Sequence, residues 1–362
     1  MSRILYGVSG EGSGHSSRAT EITRHLLTCG HEVKIVSYDR GYRNMSVEFD
    51  AIEIEGLHIV SENNRVRPLK TLWHNVRRGG RAVRQIKALL HQVRVFQPEY
   101  VITDFEPTTA WLATLRGLPL ISLDNQHRMR FMKFHSPPCL MMSRWIAVFL
   151  VRLMVPSPTA ALATTYYFGE RKNDRIFLFP PILRREVIAC MPRNGDHHLV
   201  YITSRFEHLL AILKSFPGQQ FIVFGCDREG VDGNLHFRAF STAGFLRDLE
   251  SCRSVIATAG FTLISEAIYL GKPYLAMPMV GQFEQQLNAI CLQELGFGIN
   301  ANKTNRESIE TFFDRLPALQ SNVMAYAAEH RLHGQRDANH AIKSKLDALL
   351  AGGLSTAGAR VC

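Results

Sequence analysis

Two stretches of the sequence carry side chains suited to binding a sugar and an anion. In the first, Ser254–Ala289, one carboxylate and three amides follow Pro278, namely Gln282, Glu284, Gln285 and Gln286. Carboxylates and amides are the hydrogen-bonding partners that sugar hydroxyls need. Glu266, on a predicted helix earlier in the stretch, could accept hydrogen bonds from a ribose. An ordinary strand–helix–strand unit with a solvated loop explains the apolar runs of this stretch, but it does not explain the clustered amides.

The second stretch is a glycine-rich segment, Gly7–Ala19, that places His15 after four glycines. An imidazole titrates near neutral pH, so His15 could remove a proton from an attacking hydroxyl. The alternative is a polar histidine that only caps the following helix. A P-loop is excluded because Gly14 is followed by His15 rather than by Lys. A dinucleotide fingerprint is excluded because His15 stands where its third glycine belongs.

Short apolar runs that end in polar residues predict an α/β chain with parallel strands. The carboxyl ends of such strands share one edge of a sheet, where ligands bind. Asp104 and the segment Asp124–His127 follow two of these runs, and Ser204-Arg205 follow a third, from which they could reach a diphosphate. The predicted strands are Ile4–Val8, Val33–Val36, Tyr100–Thr103, Leu120–Leu123, Ile176–Pro181, Leu199–Thr203, Gln220–Gly225, Leu235–Phe240, Val255–Ala257 and Tyr274–Met277.

Length and composition favour a two-domain globular protein with an acidic partner. The chain has 362 residues, of which 46% are hydrophobic and 20% charged, and a formal net charge of +10. Its seven cysteines form no C-x-x-C pair, which argues against a zinc site or a disulfide framework and favours a reducing cytosol. We see no signal peptide and no apolar run long enough to span a membrane, so we expect a cytoplasmic protein.

Two segments are unusual in charge or hydrophobicity. Residues 63–98 contain no acid and nine cations, and Leu72–Phe96 has the apolar spacing of an amphipathic helix. Its basic face is either merely solvated or bound to an anionic acceptor or lipid surface. The segment Cys139–Val155 is largely apolar. It is either a buried helix pair, which we favour, or a patch that lies on a membrane.

The stretch Ser254–Ala289 resembles the donor-binding signature of nucleotide-sugar glycosyltransferases with the two-domain GT-B fold. It is similar to that of the bacterial N-acetylglucosaminyltransferase that forms lipid II and to that of the UDP-glycosyltransferases. The resemblance implies that the turn meets the diphosphate, that Glu266 holds the ribose, and that residues before Asn288-Ala289 hold the sugar. The matching positions are Ala259, Gly260, Phe261 and Thr262 for the turn, and Glu284, Gln285 and Gln286 for the sugar. Which of the two glutamines touches the sugar stays open.

The same resemblance implies roles for other residues. The loop with Gly10, Gly12, Ser13 and Gly14 would face the acceptor, with His15 as the catalytic base and Asp104 as its partner; capping of the next helix is the alternative for Asp104. Phe240 would contact the base of the nucleotide. The expected domains are residues 1–188 for the acceptor and 196–335 for the nucleotide sugar. Residues 336–350 would form a helix that crosses back to the first domain, and 351–362 a tail.

We therefore expect an inverting, metal-independent hexosyltransferase with two Rossmann-like domains facing across a cleft. It would need no cofactor besides the nucleotide sugar, with UDP as the nucleotide. Its acceptor would be an anionic or lipid-linked hydroxyl compound, as in cell-envelope glycans, and the enzyme would then work at the inner face of a membrane as a peripheral protein. The alternatives are an isomerase like UDP-N-acetylglucosamine 2-epimerase and a nucleic-acid-binding protein. The latter is suggested by charge alone, without a recognisable motif, so we expect no nucleic-acid partner.

Overall fold

A computed structural model describes residues 1–56, 61, 62, 65, 66, 85, 87–202, 207–226, 228–332 and 339–353 of the chain. Contacts between backbone positions divide the chain into two units. The first consists of Met1–Val60, Arg67–Arg184 and Asp337–Cys362. The second consists of Ser61–Val66 and Arg185–Arg336.

The first unit is built on a sheet of seven parallel strands in the order β3-β2-β1-β6-β7-β8-β9. The inner strands are buried on both faces, which is why they appear in the sequence as unbroken apolar runs. The strands are β1 Arg3–Val8, β2 Glu32–Ser37, β3 Ala51–Glu53, β6 Tyr100–Asp104, β7 Leu120–Asp124, β8 Ala160–Thr164 and β9 Ile176–Phe179. The short strands β4 Ser61–Glu62 and β5 Arg65–Val66 form a separate antiparallel pair that belongs to the second unit.

Helices cover both faces of this sheet. One face packs on the helix Ser13–Thr28 and on the C-terminal helix His340–Ala348, whose Ile342 and Leu346 join Ile22 and Leu26 in one apolar cluster. The other face packs on Leu89, Val93 and the helix that follows β6. Among the described residues, the helices of this unit are Ser13–Thr28, Asp39–Met45, residues 87–96, Pro107–Arg116, His127–Phe131, Met141–Met154 and His340–Ala348, with a 3₁₀ turn at Pro138–Leu140 and a π-helical turn at Leu349–Gly353.

The second unit has its own seven-stranded sheet, in the order β12-β13-β11-β10-β14-β15-β16. All neighbours are parallel except the edge pair β12 and β13. Its strands are β10 His197–Tyr201, β11 Gln220–Phe224, β12 Gly230–Asp232, β13 Leu235–Arg238, β14 Ser254–Thr258, β15 Tyr274–Met277 and β16 Gly298–Asn300. Its helices are Arg185–Ile188, Glu207–Lys214, Thr242–Ser251, Phe261–Tyr269, Phe283–Glu294 and Arg306–Leu332.

The C-terminal helices differ from the sequence prediction. The sequence pattern predicts one helix over Ser308–Leu316 and another over Val323–Leu350. Pro317 follows the first of these, and a proline normally ends a helix. Instead one helix, Arg306–Leu332, continues through Pro317. Its residues Ile309, Phe312, Leu316 and Leu319 are buried in the core of the second unit. That burial on both sides of the proline holds the helix together.

Two further predictions have different outcomes. The apolar segment Cys139–Val155 was expected to be core, and this is wrong. The helix Met141–Met154 buries Val151 but leaves large apolar side chains such as Trp145 and Phe149 more than half exposed. Of the predicted helix Leu72–Phe96, Gln85 and residues 87–96 are helical, and the rest lies outside the described residues. No helix in the described ranges is long and apolar enough to cross a membrane.

Buried His198 in β10 makes stability depend on pH. Its Nδ1 lies 2.7 Å from Ser254 Oγ and its Nε2 lies 2.9 Å from Gln219 Oε1. Burial lowers its pKa to about 4, against the opposing effect of the Gln219 hydrogen bond. An unfolded histidine titrates at about pH 6.5, so between about pH 6.5 and 4 only the unfolded chain binds this proton. We therefore expect His198 to cost nothing above pH 6.5 and up to about 3 kcal/mol as the pH falls to 4.

The measurement is urea unfolding of the wild type and of His198→Gln at about pH 7.5 and pH 4.5. The variant loses one titrating group, so its stability should fall less steeply on acidification. The other acidic and histidine groups are common to both proteins and cancel in the difference. An identical pH dependence in the two proteins would contradict the assignment.

Candidate functional site in each unit

The first unit reverses its strand order between β1 and β6, and the predicted base and its partner lie at this point. From β1 the chain proceeds to β2 and β3 on one side of the sheet, whereas β6 pairs with the other side of β1. A crevice opens at the carboxyl ends of strands where the order reverses in this way. Val8 and Asp104, the last residues of the two strands, are paired neighbours, and Ser9 N donates to Asp104 O.

His15 and Asp104 are in direct contact. The Nδ1 atom of His15 lies 2.7 Å from Oδ1 of Asp104. A carboxylate at that distance needs a proton on the ring nitrogen, so we assign the proton to Nδ1 and the lone pair of the neutral ring to Nε2. The Nε2 atom has no hydrogen bond among the described residues, and 14% of the His15 side chain is exposed whereas Asp104 is fully buried. The ring can therefore accept a proton on the side away from Asp104.

Arg18 is a third member of this cluster and was not predicted from the sequence. Its Nε donates to Asp104 Oδ2 at 2.8 Å and its NH2 donates to Asp104 Oδ1 at 2.6 Å. Burial acts to lower the pKa of the guanidinium, but the charge and hydrogen bonds of Asp104 outweigh it and raise the pKa above its ordinary value. Asp104 is thus held in place by a buried two-pronged ion pair. The i, i+3 spacing of His15 and Arg18 on a helix was the available signal.

The glycine-rich loop is shorter than expected. Helix Ser13–Thr28 begins before His15, so the loop contains only residues 9–12, while Gly14, Ser13 and His15 lie in the first helical turn. Gly12 precedes the helix with a φ of 78°, which favours glycine. Gly10 is required for a different reason, since a Cβ atom there would lie 2.2 Å from the carbonyl oxygen of Tyr38. The predicted roles of these residues toward an acceptor stay predictions.

The next helix is capped by Glu106 rather than by Asp104. Glu106 accepts hydrogen bonds from the backbone nitrogens of Thr108 and Thr109, both at 2.7 Å. The alternative that Asp104 caps this helix is therefore wrong. Phe105, between the two acids, has a φ of 56°, a costly conformation for a bulky residue. Such strain often accompanies functional sites. On either side of Phe105, Asp104 binds Arg18 and His15, whereas Glu106 caps the next helix.

The polar segment after β7 is buried and largely self-contained. Asp124 accepts from the backbone nitrogen and from Nδ1 of His127, both at 2.8 Å, and from the hydroxyl of Ser122 at 2.6 Å. Burial acts to raise the pKa of Asp124, but the charge and hydrogen bonds of His127 and its neighbours lower it to about 2. Asn125 accepts from Arg18 at 3.5 Å. The segment therefore supports the helix His127–Phe131 and the Arg18 side chain.

The second unit also reverses its strand order, between β10 and β14. The loop after β10 holds Ser204 and Arg205, which lie outside the described residues. After β14 come Ala259 and Gly260, followed by helix Phe261–Tyr269, which has no capping side chain and no acid in its first turn. Gly260 has a φ of −71°, a conformation that any residue adopts, so the backbone at this turn does not by itself require glycine. A Cβ atom there would meet nothing within 4 Å, so the glycine leaves its backbone open to a ligand.

The buried amide of Asn288 joins the helix that carries the candidate sugar-binding residues to the turn at Ala259. Asn288 is fully buried, and its Nδ2 donates to Ala259 O at 2.8 Å. Its helix, Phe283–Glu294, follows β15, which is the direct neighbour of β14. This bond holds the second turn of helix Phe283–Glu294 to the residue that precedes Gly260. Glu266 lies in the first of these helices and is 3% exposed, so the ribose contact remains a prediction.

The three candidate sugar-binding residues are helical, not part of a loop as expected. Glu284, Gln285 and Gln286 all lie in the first turn of Phe283–Glu294, where an acid also favours the helix dipole. Gln285 Oε1 accepts from Met279 N at 3.0 Å, whereas Gln286 Nε2 donates to Met279 O at the longer distance of 3.5 Å. All three side chains are half-buried. The weaker bond of Gln286 costs less to exchange for a ligand.

Phe240 lies at the same edge of the second sheet, just after β13. Its side chain is 58% exposed. It packs on three other rings, those of Tyr201, Phe224 and Phe245, with centroid distances of 6.0, 6.4 and 5.7 Å. The strand order places β13 three strands from β14, about 14 Å at the usual strand spacing. An exposed ring with firm backing is a platform on which a planar base can stack.

One group of described side chains has the arrangement of metal ligands. His25, Cys29 and Asp347 hold their ligand atoms within 4.8 Å of one another. His25 follows His15 by ten residues on the same helix, which is about 15 Å along its axis. The 2.8 Å contact from His25 Nε2 to Asp347 Oδ1 already explains why the helices meet there. This group is therefore not part of the site at His15.

The chain is similar over most of its length to known glycosyltransferases. It is 25% identical over 329 residues to an uncharacterized glycosyltransferase of Methanosarcina acetivorans, covering 82% of this chain and 84% of the relative. Among solved structures, the glycotransferase of kitacinnamycin aligns over 98% of this chain and 99% of its own, with a TM-score of 0.67 and 15% identity. Spinosyn rhamnosyltransferase SpnG complexed with thymidine diphosphate aligns over 91% and 96%, with a TM-score of 0.62 and 14% identity.

These alignments confirm the expected α/β fold of the GT-B type. The more specific resemblance to the lipid II enzyme stays a prediction. The model of the family described as "Glycosyl transferase family 1" matches residues 2–317. The family match therefore favours a glycosyltransferase over an isomerase or a nucleic-acid-binding protein. On this evidence the chain belongs to glycosyl transferase family 1.

Proposed function

We propose that this glycosyltransferase moves a hexosyl group from a nucleoside-diphosphate sugar to a hydroxyl of its acceptor, with inversion and without a metal or other cofactor. The observation that carries this proposal is the contact between His15 Nδ1 and Asp104 Oδ1 at the strand reversal of the first unit. A histidine held in one tautomer by a buried carboxylate is the arrangement needed for general-base catalysis of hydroxyl attack.

The reaction would proceed as one displacement. The acceptor hydroxyl gives its proton to Nε2 of His15, and its oxygen forms a bond to the anomeric carbon. The bond from that carbon to the diphosphate oxygen breaks, and the nucleoside diphosphate leaves with the electron pair. A single displacement of this kind inverts the anomeric carbon. Asp104 would act through His15, by orienting the ring and opposing the positive charge that the ring acquires.

The leaving diphosphate would bind at the second unit. Helix Phe261–Tyr269 is preceded by Gly260, which has no side chain to cap it, and the helix dipole favours an anion at this end. Ser204 and Arg205, from the loop after the neighbouring strand β10, would add donors. Phe240 would stack on the base, Glu266 would meet the ribose, and Glu284, Gln285 and Gln286 would contact the sugar. The acceptor would be anionic or lipid-linked, in keeping with the net charge of +10.

The nucleotide is the first property to test. The resemblance of Ser254–Ala289 favours UDP, whereas the similar rhamnosyltransferase SpnG was solved with thymidine diphosphate. Thermal unfolding in the presence of UDP-sugars and thymidine-diphosphate sugars should show a stabilising shift with one of the two sets, since a ligand that binds only the folded state stabilises it. No shift with any nucleoside-diphosphate sugar would contradict the proposed donor class.

Phe240→Ala should weaken binding of the accepted nucleotide about tenfold, because stacking of one base on an aromatic ring contributes about 1–3 kcal/mol. The measurement is isothermal titration with the nucleoside diphosphate. Val231→Ala is the matched control, because it trims a 67% exposed apolar side chain on the edge strand of the same sheet. Equal affinities of Phe240→Ala and the wild type would remove Phe240 from the nucleotide site.

A further inference from the structure

The helix Met141–Met154 exposes its apolar face instead of burying it. Only Val151 is buried among its fourteen residues. At about 100° per residue, the exposed apolar side chains fall within an arc of about 180° on one side of the helix. Trp145 is 69% exposed and Phe149 64% exposed. The full exposed set is Met141, Met142, Trp145, Ile146, Phe149, Leu150 and Leu153.

A contiguous apolar face of this kind marks an interaction site. Scattered single apolar residues on a surface are normal, but seven on one face of one helix are not. The helix is also fixed to the unit at its end, where Trp111 Nε1 donates to Leu153 O at 2.8 Å and Arg130 donates to Val155 O at 3.1 Å. The exposed face is therefore presented by an anchored helix.

The charge around this face indicates what covers it. Residues 125–169 contain no acid and five cations, Arg128, Arg130, Lys133, Arg144 and Arg152. Arg128 is fully buried and Lys133 is paired with Glu170 at 2.6 Å, so Arg130, Arg144 and Arg152 supply the excess positive charge. The excess of positive charge affects the pKa values of Lys172 and Arg130. Burial is the largest cause that lowers the pKa of each, and neighbouring cations, with Arg152 among them in both cases, lower it further. Two copies of the chain that met through this face would bring the same cations together, which disfavours self-association.

We propose that the helix Met141–Met154 docks the enzyme on an anionic lipid surface, with Trp145 and Phe149 inserted between the headgroups and the exposed Arg152 beside the lipid phosphates. An amphipathic helix with aromatic and aliphatic residues on one face and cations on its flanks lies in the plane of a membrane interface. Cations near an anionic leaflet strengthen such binding, and two signals together give a stable attachment. The docking goes beyond the transfer reaction and requires neither the donor nor His15.

The test is co-sedimentation of the full chain with vesicles of phosphatidylcholine alone or mixed with phosphatidylglycerol. The wild type should bind the mixed vesicles at least about tenfold more tightly than the neutral ones, and added salt should reduce the difference. Trp145→Ser combined with Phe149→Ser should abolish sedimentation with either. Arg152→Gln should weaken binding to the anionic vesicles only.

Val47→Ser is the matched control, because it removes an 86% exposed apolar side chain elsewhere in the same unit and should bind like the wild type. The proposal would be overturned if the wild type did not sediment with either vesicle type. It would also be overturned if the Trp145→Ser, Phe149→Ser double variant bound the vesicles as tightly as the wild type. A homodimer in light scattering that is lost in the double variant, without vesicle binding, would also overturn it and assign the face to a second copy. None of these results depends on the donor, so the transferase proposal is tested separately.

Discussion

Replacement of His15 by alanine should lower kcat about 10²- to 10⁴-fold and leave the affinity for the nucleoside diphosphate within about twofold of the wild type. The imidazole is the proposed acceptor of the hydroxyl proton, and a general base contributes a factor of this size. The residues proposed to bind the nucleotide belong to the second unit, so the two effects should separate. The measurements are transfer to the acceptor under single-turnover conditions and isothermal titration with the nucleoside diphosphate.

The matched control is His25→Ala, a histidine on the same helix. Its Nε2 contacts Asp347 at 2.8 Å, so the variant also removes an imidazole that is bonded to a carboxylate. It should retain transfer activity close to that of the wild type. If His15→Ala keeps more than about a tenth of the wild-type kcat, His15 is not the base. If both variants lose activity equally, the loss reflects damage to the helix and not the chemistry.

Replacement of Asp104 by asparagine should cost about 3–5 kcal/mol of stability, in addition to most of the transfer activity. The carboxylate is fully buried, forms an ion pair with the guanidinium of Arg18 and accepts a hydrogen bond from His15. Asparagine would leave the guanidinium of Arg18, which is 5% exposed, without its counter-charge, and an unpaired buried charge has a cost of this size. The measurement is urea unfolding at neutral pH.

A second substitution separates the stability effect from the catalytic one. Arg18→Met removes the buried cation, so the double variant Asp104→Asn with Arg18→Met should recover part of the lost stability. It should not recover activity, because the carboxylate that orients His15 is still absent. A cost of less than about 1 kcal/mol for Asp104→Asn would mean that water screens the pair as at a surface. Recovered activity in the double variant would show that Asp104 does not act through His15.

The parallel strands and the polar residues that follow them could be predicted from the sequence. Apolar runs such as Ile4–Val8 and Tyr274–Met277 are strands in the structure, within one residue of the predicted bounds. Their burial on both faces leaves few choices of residue type, so the pattern is strong. β8 Ala160–Thr164 and β16 Gly298–Asn300 were missed. Alanine and glycine have no strong preference that would mark a strand, and neighbouring strands supply the pairing that forms it.

Helix limits were harder to predict because tertiary packing overrides local signals. The first helix begins at Ser13, within the glycine-rich segment, so Gly14 and His15 are helical. A correct start would have placed Arg18 one turn from His15 and pointed to the cluster with Asp104. In the second unit, the first turn of helix Phe283–Glu294 takes in residues 284–286, which the sequence pattern placed in a loop. The amide bonds to Met279 fix that turn.

The residue types alone determined the α/β class and the edge of each sheet at which polar residues gather, whereas the family resemblance supplied the pairing of His15 with Asp104 as a hypothesis. They could do so because parallel strands need apolar runs, and because the turns after them are where polar groups meet ligands. Only the tertiary structure decided that Arg18 shares the carboxylate, that Glu106 is the helix cap, and that the apolar helix Met141–Met154 faces solvent. These outcomes depend on which segments pack together across long distances in the chain, and local sequence patterns carry no record of that packing.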